Sequence, residues 1–182
     1  MTRPYPTEFD RPAMIGAGAS LRIRPVRPED EPGLVELVAR MTPEDRRLRF
    51  FTQCKELPHA LAARFARIDY DREMALLATP MDDDTVLGVS RYAADADLRR
   101  AEFALAVRSD WHHRGLGHLL MTRLIEAAKA RGIGALYGDV LRENATMLDL
   151  CREIGLTATN HPDDPTLLRL TLALSGRDEP RP

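Results

Sequence analysis

The stretch that most constrains the fold is an apolar strand that leads through a glycine turn into a leucine-striped helix. Residues 101–107 are apolar apart from Glu102 and predict a strand. The turn that follows carries Gly115 and Gly117, and leucines then recur at helical spacing until Gly132. Backbone N–H groups at a helix start are unpaired and lie at the positive end of the helix dipole. The turn therefore predicts a binding site for phosphate oxygens.

Two other phosphate-binding turns do not fit this spacing. A Rossmann turn follows the first strand, has a third glycine and precedes an acidic residue by about 20 positions. Here the turn follows the fourth predicted strand, and Leu120 occupies the third glycine position. A nucleoside triphosphate loop needs a Gly-Lys-Ser or Gly-Lys-Thr end, which this turn lacks. On the pattern alone, an ordinary glycine turn without a ligand is an equal alternative.

The first half of the chain predicts one strand and several helices. Residues 21–26 alternate apolar and polar positions, as a half-buried strand does. Asp30 is placed to cap the next helix, and Thr42 caps a second helix that begins with proline. Residues 58–68 predict a shorter third helix.

The second half predicts an antiparallel meander followed by a βαβ segment. Strands at residues 73–79 and 85–93 precede the strand before the glycine turn, and residues 135–140 predict a strand after the long helix. A helix from Asn144 and a strand at residues 167–174 complete the pattern. The fold class is therefore α/β (α+β mixed), with a mixed sheet of about six to seven strands flanked by helices.

A chain of 182 residues fits one domain, which we place at residues 20–174. Residues 1–19 show no periodicity and predict a flexible N-terminal arm. Residues 175–182 are charged and proline-bearing, and predict a C-terminal tail.

Charge and cysteine content narrow the partners and the compartment. The net charge of -2 provides no broad positive field, which argues against nucleic acid or an anionic membrane as partner. Cys54 and Cys151 lie too far apart for a disulfide framework or for paired thiolate ligands of a metal. No apolar run reaches the ~18 residues that span a bilayer. These features predict a cytoplasmic protein, and leave its oligomeric state open.

The glycine turn and its surroundings resemble the acetyl-CoA signature of the GNAT superfamily. That signature is a strand, a Gln/Arg-x-x-Gly-x-Gly/Ala turn and a long helix, and this turn fits it from His112, which stands where Gln or Arg is usual. Residues 69–75, 101–104 with 107–110, and 143–155 resemble the acetyltransferase domain of Pat-type protein lysine acetyltransferases. The resemblance extends over roughly residues 21–174 and implies acetyl-CoA as the acyl donor.

The resemblance also implies which residues contact the donor. The turn would hold the pyrophosphate, and the end of the preceding strand would pair with the pantetheine arm and provide an N–H group to the developing oxyanion. We expect Asn144, at the start of the last helix, to contact acetyl-CoA, although this residue can equally be a plain helix cap. The predicted cofactor-binding residues are Leu105, Ala106, Val107, His112, His113, Arg114, Gly115, Leu116, Gly117, His118 and Asn144. The histidines of the turn lack the spacing of metal ligands, and no metal is predicted.

Transfer to an aliphatic amine needs a base, because an amine with a pKa of ~10.4 is protonated near neutral pH. Glu102 is the candidate, since a carboxylate in an apolar strand is expected to be partly desolvated and so to hold a proton more readily. The resemblance implies the same role, because the matching glutamate of Pat-type enzymes is the general base. A solvent-facing strand glutamate is the alternative. Glu73 ranks lower, because Asp71 and Arg72 beside it suggest an exposed, ion-paired edge.

The sequence thus predicts an acetyl-CoA-dependent N-acetyltransferase whose acceptor is a primary amine, preferably a protein lysine. A small-molecule amine acetyltransferase is one alternative. A catalytically silent acyl-CoA-binding sensor is another. The sensor is compatible with His112 and with Cys151, which stands where many GNAT enzymes have a tyrosine general acid. Retention of Glu102 argues against it.

Overall fold

The computed structural model of the protein describes residues 3–16 and 18–174, and within them the chain forms a sheet of eight strands. The strands are β1 Arg11–Ile15, β2 Ala19–Pro25, β3 Glu73–Pro80, β4 Gly88–Ala94, β5 Arg100–Val107, β6 Ala135–Leu141, β7 Thr157–Asn160 and β8 Leu167–Ala173. They lie in the order β1-β2-β3-β4-β5-β6-β8-β7. Neighbouring strands are antiparallel except β5 and β6, which are parallel. The prediction of an α/β fold with a meander and a βαβ segment is confirmed.

Helices cover both faces of the sheet. They are α1 Glu31–Ala39, α2 Pro43–Phe50, α3 His59–Ala66, α4 Leu116–Ala130 and α5 Ala145–Glu153. One core forms between the sheet and the leucine-striped α4, with α5 beside it. A second core forms under α1 and α3 on the opposite face. No helix in residues 3–16 and 18–174 has both the length and the apolar character that crossing a bilayer requires.

The prediction of a flexible arm at residues 1–19 is wrong for its central part. Residues 7–9 form a short 3-10 helix, and β1 pairs with β2 along its whole length. Packing explains the order, because Ile15 is buried in the α4 core and Phe9 packs against it. Residues 1, 2 and 17 and the predicted tail at residues 175–182 lie outside the described residues.

Two of the predicted helix caps are present. The Thr42 hydroxyl accepts a hydrogen bond from the backbone N–H of Asp45 at 3.2 Å. The Asn144 amide oxygen accepts from the backbone N–H of Met147, also at 3.2 Å. Both bonds satisfy donors that a helix start leaves unpaired, so these side chains fix where α2 and α5 begin.

Asp30 precedes α1, as the sequence predicts, but its side chain binds a buried arginine of β2 instead of capping the helix. Arg24 donates from Nη1 and Nη2 to the two carboxylate oxygens at 2.7 Å each. The carboxylate also accepts from the backbone N–H of Arg27 at 2.7 Å. The side-chain exposures of Arg24 and Asp30 are 1% and 8%. This paired charge fixes the connection between β2 and α1.

Removing one member of the buried pair should destabilise the fold strongly. Asp30→Asn removes the buried carboxylate that Arg24 binds and leaves it only the exposed Asp84, at 3.3 Å; breaking a buried pair typically costs about 3–5 kcal/mol. We expect a loss of that size in the free energy of unfolding, measured by urea denaturation. Glu36→Gln is the control, because Glu36 and Arg40 form an exposed pair that should contribute less than about 1 kcal/mol. Equal losses in the two variants would contradict this account.

Candidate active site

β5 and β6 pair over only part of their length, which leaves a gap in the middle of the sheet. Parallel pairing joins residues 100–102 to residues 135–137. β5 nevertheless continues to Val107, and β6 to Leu141. Beyond Glu102, therefore, one edge of β5 has no neighbouring strand within the described residues.

Leu105 and Val107 direct their backbone N–H groups into this gap. The Arg108 N–H donates to the Leu87 carbonyl at 2.9 Å, which places the even-numbered residues of this strand on the β4 side. Hydrogen-bonding groups of successive strand residues alternate between the two edges, so the odd-numbered residues face the gap. Ala106 bonds toward β4 and buries its side chain in the α1–α3 core, so it offers no backbone donor to the gap.

The gap opens into a cleft with a volume of about 480 Å³. Its walls come from β5, the end of β6, the glycine turn, α5 along its length, and α2 with the residue that follows it. The cleft is lined by Glu102 and by ten of the predicted cofactor-binding residues: Leu105, Ala106, Val107, His112, His113, Gly115, Leu116, Gly117, His118 and Asn144. The sequence prediction therefore identifies one continuous surface.

Arg114 is the predicted cofactor-binding residue that does not line the cleft. Its side chain is exposed, and its guanidinium lies 4.9 Å from the centre of the Trp111 ring. Stacking on an indole holds an arginine close to the turn. In this position it adds positive charge beside the cleft instead of forming part of its wall.

The glycine turn presents a run of free backbone donors. Within the described part of the chain, none of the N–H groups of residues 113–118 donates to a protein acceptor. Gly115 has a φ of 84°, a left-handed conformation that glycine adopts without strain. α4 starts at the next residue, so the positive end of its dipole adds to these donors. The turn therefore has the geometry of a site for phosphate oxygens.

Gly117 lies where the cleft is narrow. A Cβ atom at this position would come within 3.3 Å of Leu150 Cδ2 and 3.4 Å of Leu105 Cδ2. Any larger side chain would therefore occupy the space between β5 and α5. The absence of a side chain keeps that space open for a ligand.

The side chain of His112 points back into the protein. Its Nε2 lies 3.1 Å from the Val107 carbonyl oxygen, and because a carbonyl only accepts, this nitrogen carries the proton. Its Nδ1 lies 4.0 Å from an oxygen of Asp45, and that oxygen accepts hydrogen bonds from the hydroxyls of Thr42 and Ser109. His112 therefore links the turn to the end of β5 and lies near the start of α2.

Glu102 is the last β5 residue that pairs with β6, so its carboxylate lies where the gap opens. Its neighbour on β4 is Ala93, whose methyl group covers little of a longer side chain. The side chain is exposed, so the expectation of a partly buried carboxylate is wrong. An exposed carboxylate at this position can be reached directly by an incoming acceptor.

α2 supplies a charged wall residue that the sequence did not single out. Arg49 is half-buried, and its Nε has no hydrogen-bond partner within the described residues. Burial is the main cause that lowers the pKa of Arg49 to about 10; repulsion from Arg91 adds to it, and attraction from Glu102 opposes it. The guanidinium is still protonated at neutral pH. Helical spacing alone does not distinguish it from a surface arginine, because its surroundings come from tertiary packing.

Glu73 and Cys151 lie outside the cleft lining. The Glu73 carboxylate is held by the guanidinium of Arg64, so the expected ion pair exists with a partner from α3 instead of Arg72. Cys151 is fully buried in the α4 core, and burial raises the pKa of its thiol to about 12. Neither side chain is placed to exchange a proton with a group bound in the cleft.

Comparisons with known proteins agree with this geometry. The family model described as "Acetyltransferase (GNAT) family" matches residues 40–156. An acetyltransferase of Pseudomonas aeruginosa is 34% identical over 159 residues, which cover 86% of each chain.

Solved structures show the same fold. The GNAT domain of Streptomyces lividans PAT has a TM-score of 0.87 at 24% identity, covering 94% of this chain and 100% of that domain. The protein yncA of Salmonella typhimurium, solved with its cofactor acetyl-CoA, has a TM-score of 0.69 at 17% identity. The match covers 88% of this chain and 98% of yncA. The family model and the relative both indicate the same family, and the fold is consistent with it. The chain belongs to the GNAT family of acyl-CoA-dependent N-acetyltransferases.

Proposed function

We propose that the protein transfers an acetyl group from acetyl-CoA to a primary amine, a lysine side chain of a protein, with Glu102 as general base. The observation that carries this proposal is the position of Glu102 at the point where β5 and β6 separate. From there, the free edge of β5 leads directly to the turn at residues 113–118, which has free backbone N–H groups.

The donor-binding part of the cleft has two components. The N–H groups of the turn and the α4 dipole bind the pyrophosphate. Leu105 and Val107 pair with the pantetheine amides, as a neighbouring strand would. Acetyl-CoA supplies the acetyl group as an activated thioester. An arm that lies along β5 runs from the turn toward Glu102 and brings the acetyl carbon near that carboxylate.

On the acceptor side, Glu102 takes a proton from the ammonium group of the acceptor, directly or through one water. The freed nitrogen lone pair forms the bond to the acetyl carbon as the carbon–sulfur bond breaks, in a ternary complex. The nitrogen then loses its second proton and the departing thiolate gains one, and because Cys151 is buried away from the cleft, this transfer runs through solvent. Glu102 releases the proton it took to solvent before the next cycle.

A protein acceptor is supported by two observations. The segments at residues 69–75, 101–104 with 107–110, and 143–155 resemble Pat-type lysine acetyltransferases. The carboxylate of Glu102 is also exposed, so the end of a long, flexible lysine side chain can reach it.

Donor binding should depend on the space at Gly117. Gly117→Leu would fill the gap between β5 and α5, so we expect acetyl-CoA and CoA to bind at least about tenfold more weakly, measured by calorimetry. Ala130→Leu is the control, because it places the same leucine side chain at an exposed position of α4 far from the turn. A folded Gly117→Leu protein with the affinity of the parent would exclude this donor site.

Transfer should depend on the basicity of Glu102. Glu102→Gln keeps the size of the side chain and removes its basicity, so activity near neutral pH should fall ~100-fold to 10,000-fold while acetyl-CoA binding stays near normal. Raising the pH should partly restore the rate, because more of the acceptor amine is then already deprotonated. The assay is transfer from labelled acetyl-CoA to lysine-bearing proteins, with small amines in parallel.

Two results of this assay would contradict parts of the proposal. Turnover by Glu102→Gln within about threefold of the parent rate would place the base elsewhere, since that loss is far below the effect of a general base. Labelling of small amines but of no protein in a broad panel would refute the lysine acceptor and leave the family assignment intact. Glu73→Gln serves as the matched control, because that carboxylate is held by Arg64 outside the cleft.

A further inference from the structure

Two half-buried arginines lie beside Glu102 without ion pairs within the described residues. Arg49 stacks on Phe50, with 4.9 Å between the guanidinium carbon and the ring centre, and Arg91 stacks on Phe65 at 4.0 Å. Both line a small cavity of about 30 Å³, room for about one water, whose other walls are apolar. Arg49 lines the main cleft as well, so it connects the two spaces.

Arg49 differs from the neighbouring arginines of α2, whose guanidinium groups bind within the fold. Arg46 donates to the carbonyl oxygens of Cys54 and Met41 at 2.9 and 2.6 Å. Arg47 binds carboxylates of two glutamates at 2.7 and 2.8 Å. In contrast, a buried guanidinium nitrogen of Arg49 has no acceptor within the described residues. Because burying an unpaired charge is costly, the protein gains when an anion binds here.

The anionic groups of CoA are not the partners of Arg49 in this arrangement. The free N–H groups that suit the pyrophosphate lie in the turn at residues 113–118, at the far end of β5 from Glu102. Arg49 and Glu102 line the same cleft, and Arg49 shares the small cavity with Arg91. Arg91 lies two residues along β4 from Ala93, the partner of Glu102, so Arg49 borders the acetyl end of the cleft. The small cavity that both arginines line is otherwise apolar, and burial is the first cause that lowers the pKa of both.

We propose that Arg49, with Arg91 behind it, binds a carboxylate that the acceptor carries close to its reactive amine. The inference rests on the proposed function, because it specifies the acceptor of the same site. The planar guanidinium suits a carboxylate, and Glu102 suits the neighbouring ammonium, so the two charges of such an acceptor meet opposite charges. The carboxylate belongs either to an aspartate or glutamate beside the target lysine, or to the α-carboxylate of a free amino acid.

Matched acceptors test this inference and distinguish the two sources. One pair consists of lysine peptides that differ only by Asp or Asn next to the lysine, and the other pair is free lysine and lysinamide. We measure kcat and KM for each acceptor, and also binding of each acceptor to protein saturated with CoA. In at least one pair, the acidic member should be preferred by about tenfold or more, mainly through KM, as expected for a charged hydrogen bond.

Variants of Arg49 assign the preference to this residue. Arg49→Gln should abolish the preference for the acidic member, and Arg49→Lys should keep part of it because the charge remains. Arg40→Gln removes an exposed arginine that is paired with Glu36 outside the cleft, and should keep the full preference of the parent protein.

Three results would overturn the inference. The first is a preference for the acidic member below threefold in both pairs. The second is a preference that survives Arg49→Gln. The third is an equal fall of kcat in Arg49→Gln on acidic and neutral acceptors, which would place Arg49 in the transfer step itself. Acetylation of both members of each pair at equal rates overturns the inference alone and leaves the proposed function standing. Arg49-dependent binding of the acidic member without any acetylation supports the subsite and overturns the proposed function.

Discussion

The separation of β5 and β6 after Glu102 is the constraint on which the site depends. Parallel pairing that continued to the end of β5 would satisfy the N–H groups of Leu105 and Val107 and would close the cleft. The gap instead leaves strand-edge donors in the middle of a sheet, where backbone groups are normally paired. A ligand that carries amides in an extended chain completes this edge as a strand would. The gap is thus the reason why we propose that acetyl-CoA binds here, with Glu102 as the base at the end of the gap.

α2 lies along the same gap and connects its two sides. At its start, Asp45 binds Ser109 of the loop after β5 and lies near His112 of the turn. In its last turns, Arg47 reaches across to Glu143 at 2.8 Å, just before α5. The helix α2, which lines the cleft, is therefore attached to the loop after β5 and to the segment just before α5.

The sequence predicts best what local chemistry decides. The caps Thr42 and Asn144 can be identified from the sequence because a cap needs only its own helix, and the same holds for the glycine turn. The sequence does not reveal β1, because Ile15 is its single buried residue, or β7, because its residues are all exposed, so neither strand shows an alternating pattern. The exposure of Glu102, and the lack of a partner for Arg49 Nε among the described residues, depend on which residues other elements place beside them. Spacing along the chain does not encode that information.

A crystal structure of the protein with CoA tests the central claim most directly. The account predicts that pyrophosphate oxygens accept hydrogen bonds from the N–H groups of residues 113–118. It also predicts that the pantetheine amides pair with Leu105 and Val107 in the gap, with the thiol pointing toward Glu102. A CoA molecule bound elsewhere, or in the cleft with the free edge of β5 left unpaired, would contradict the account.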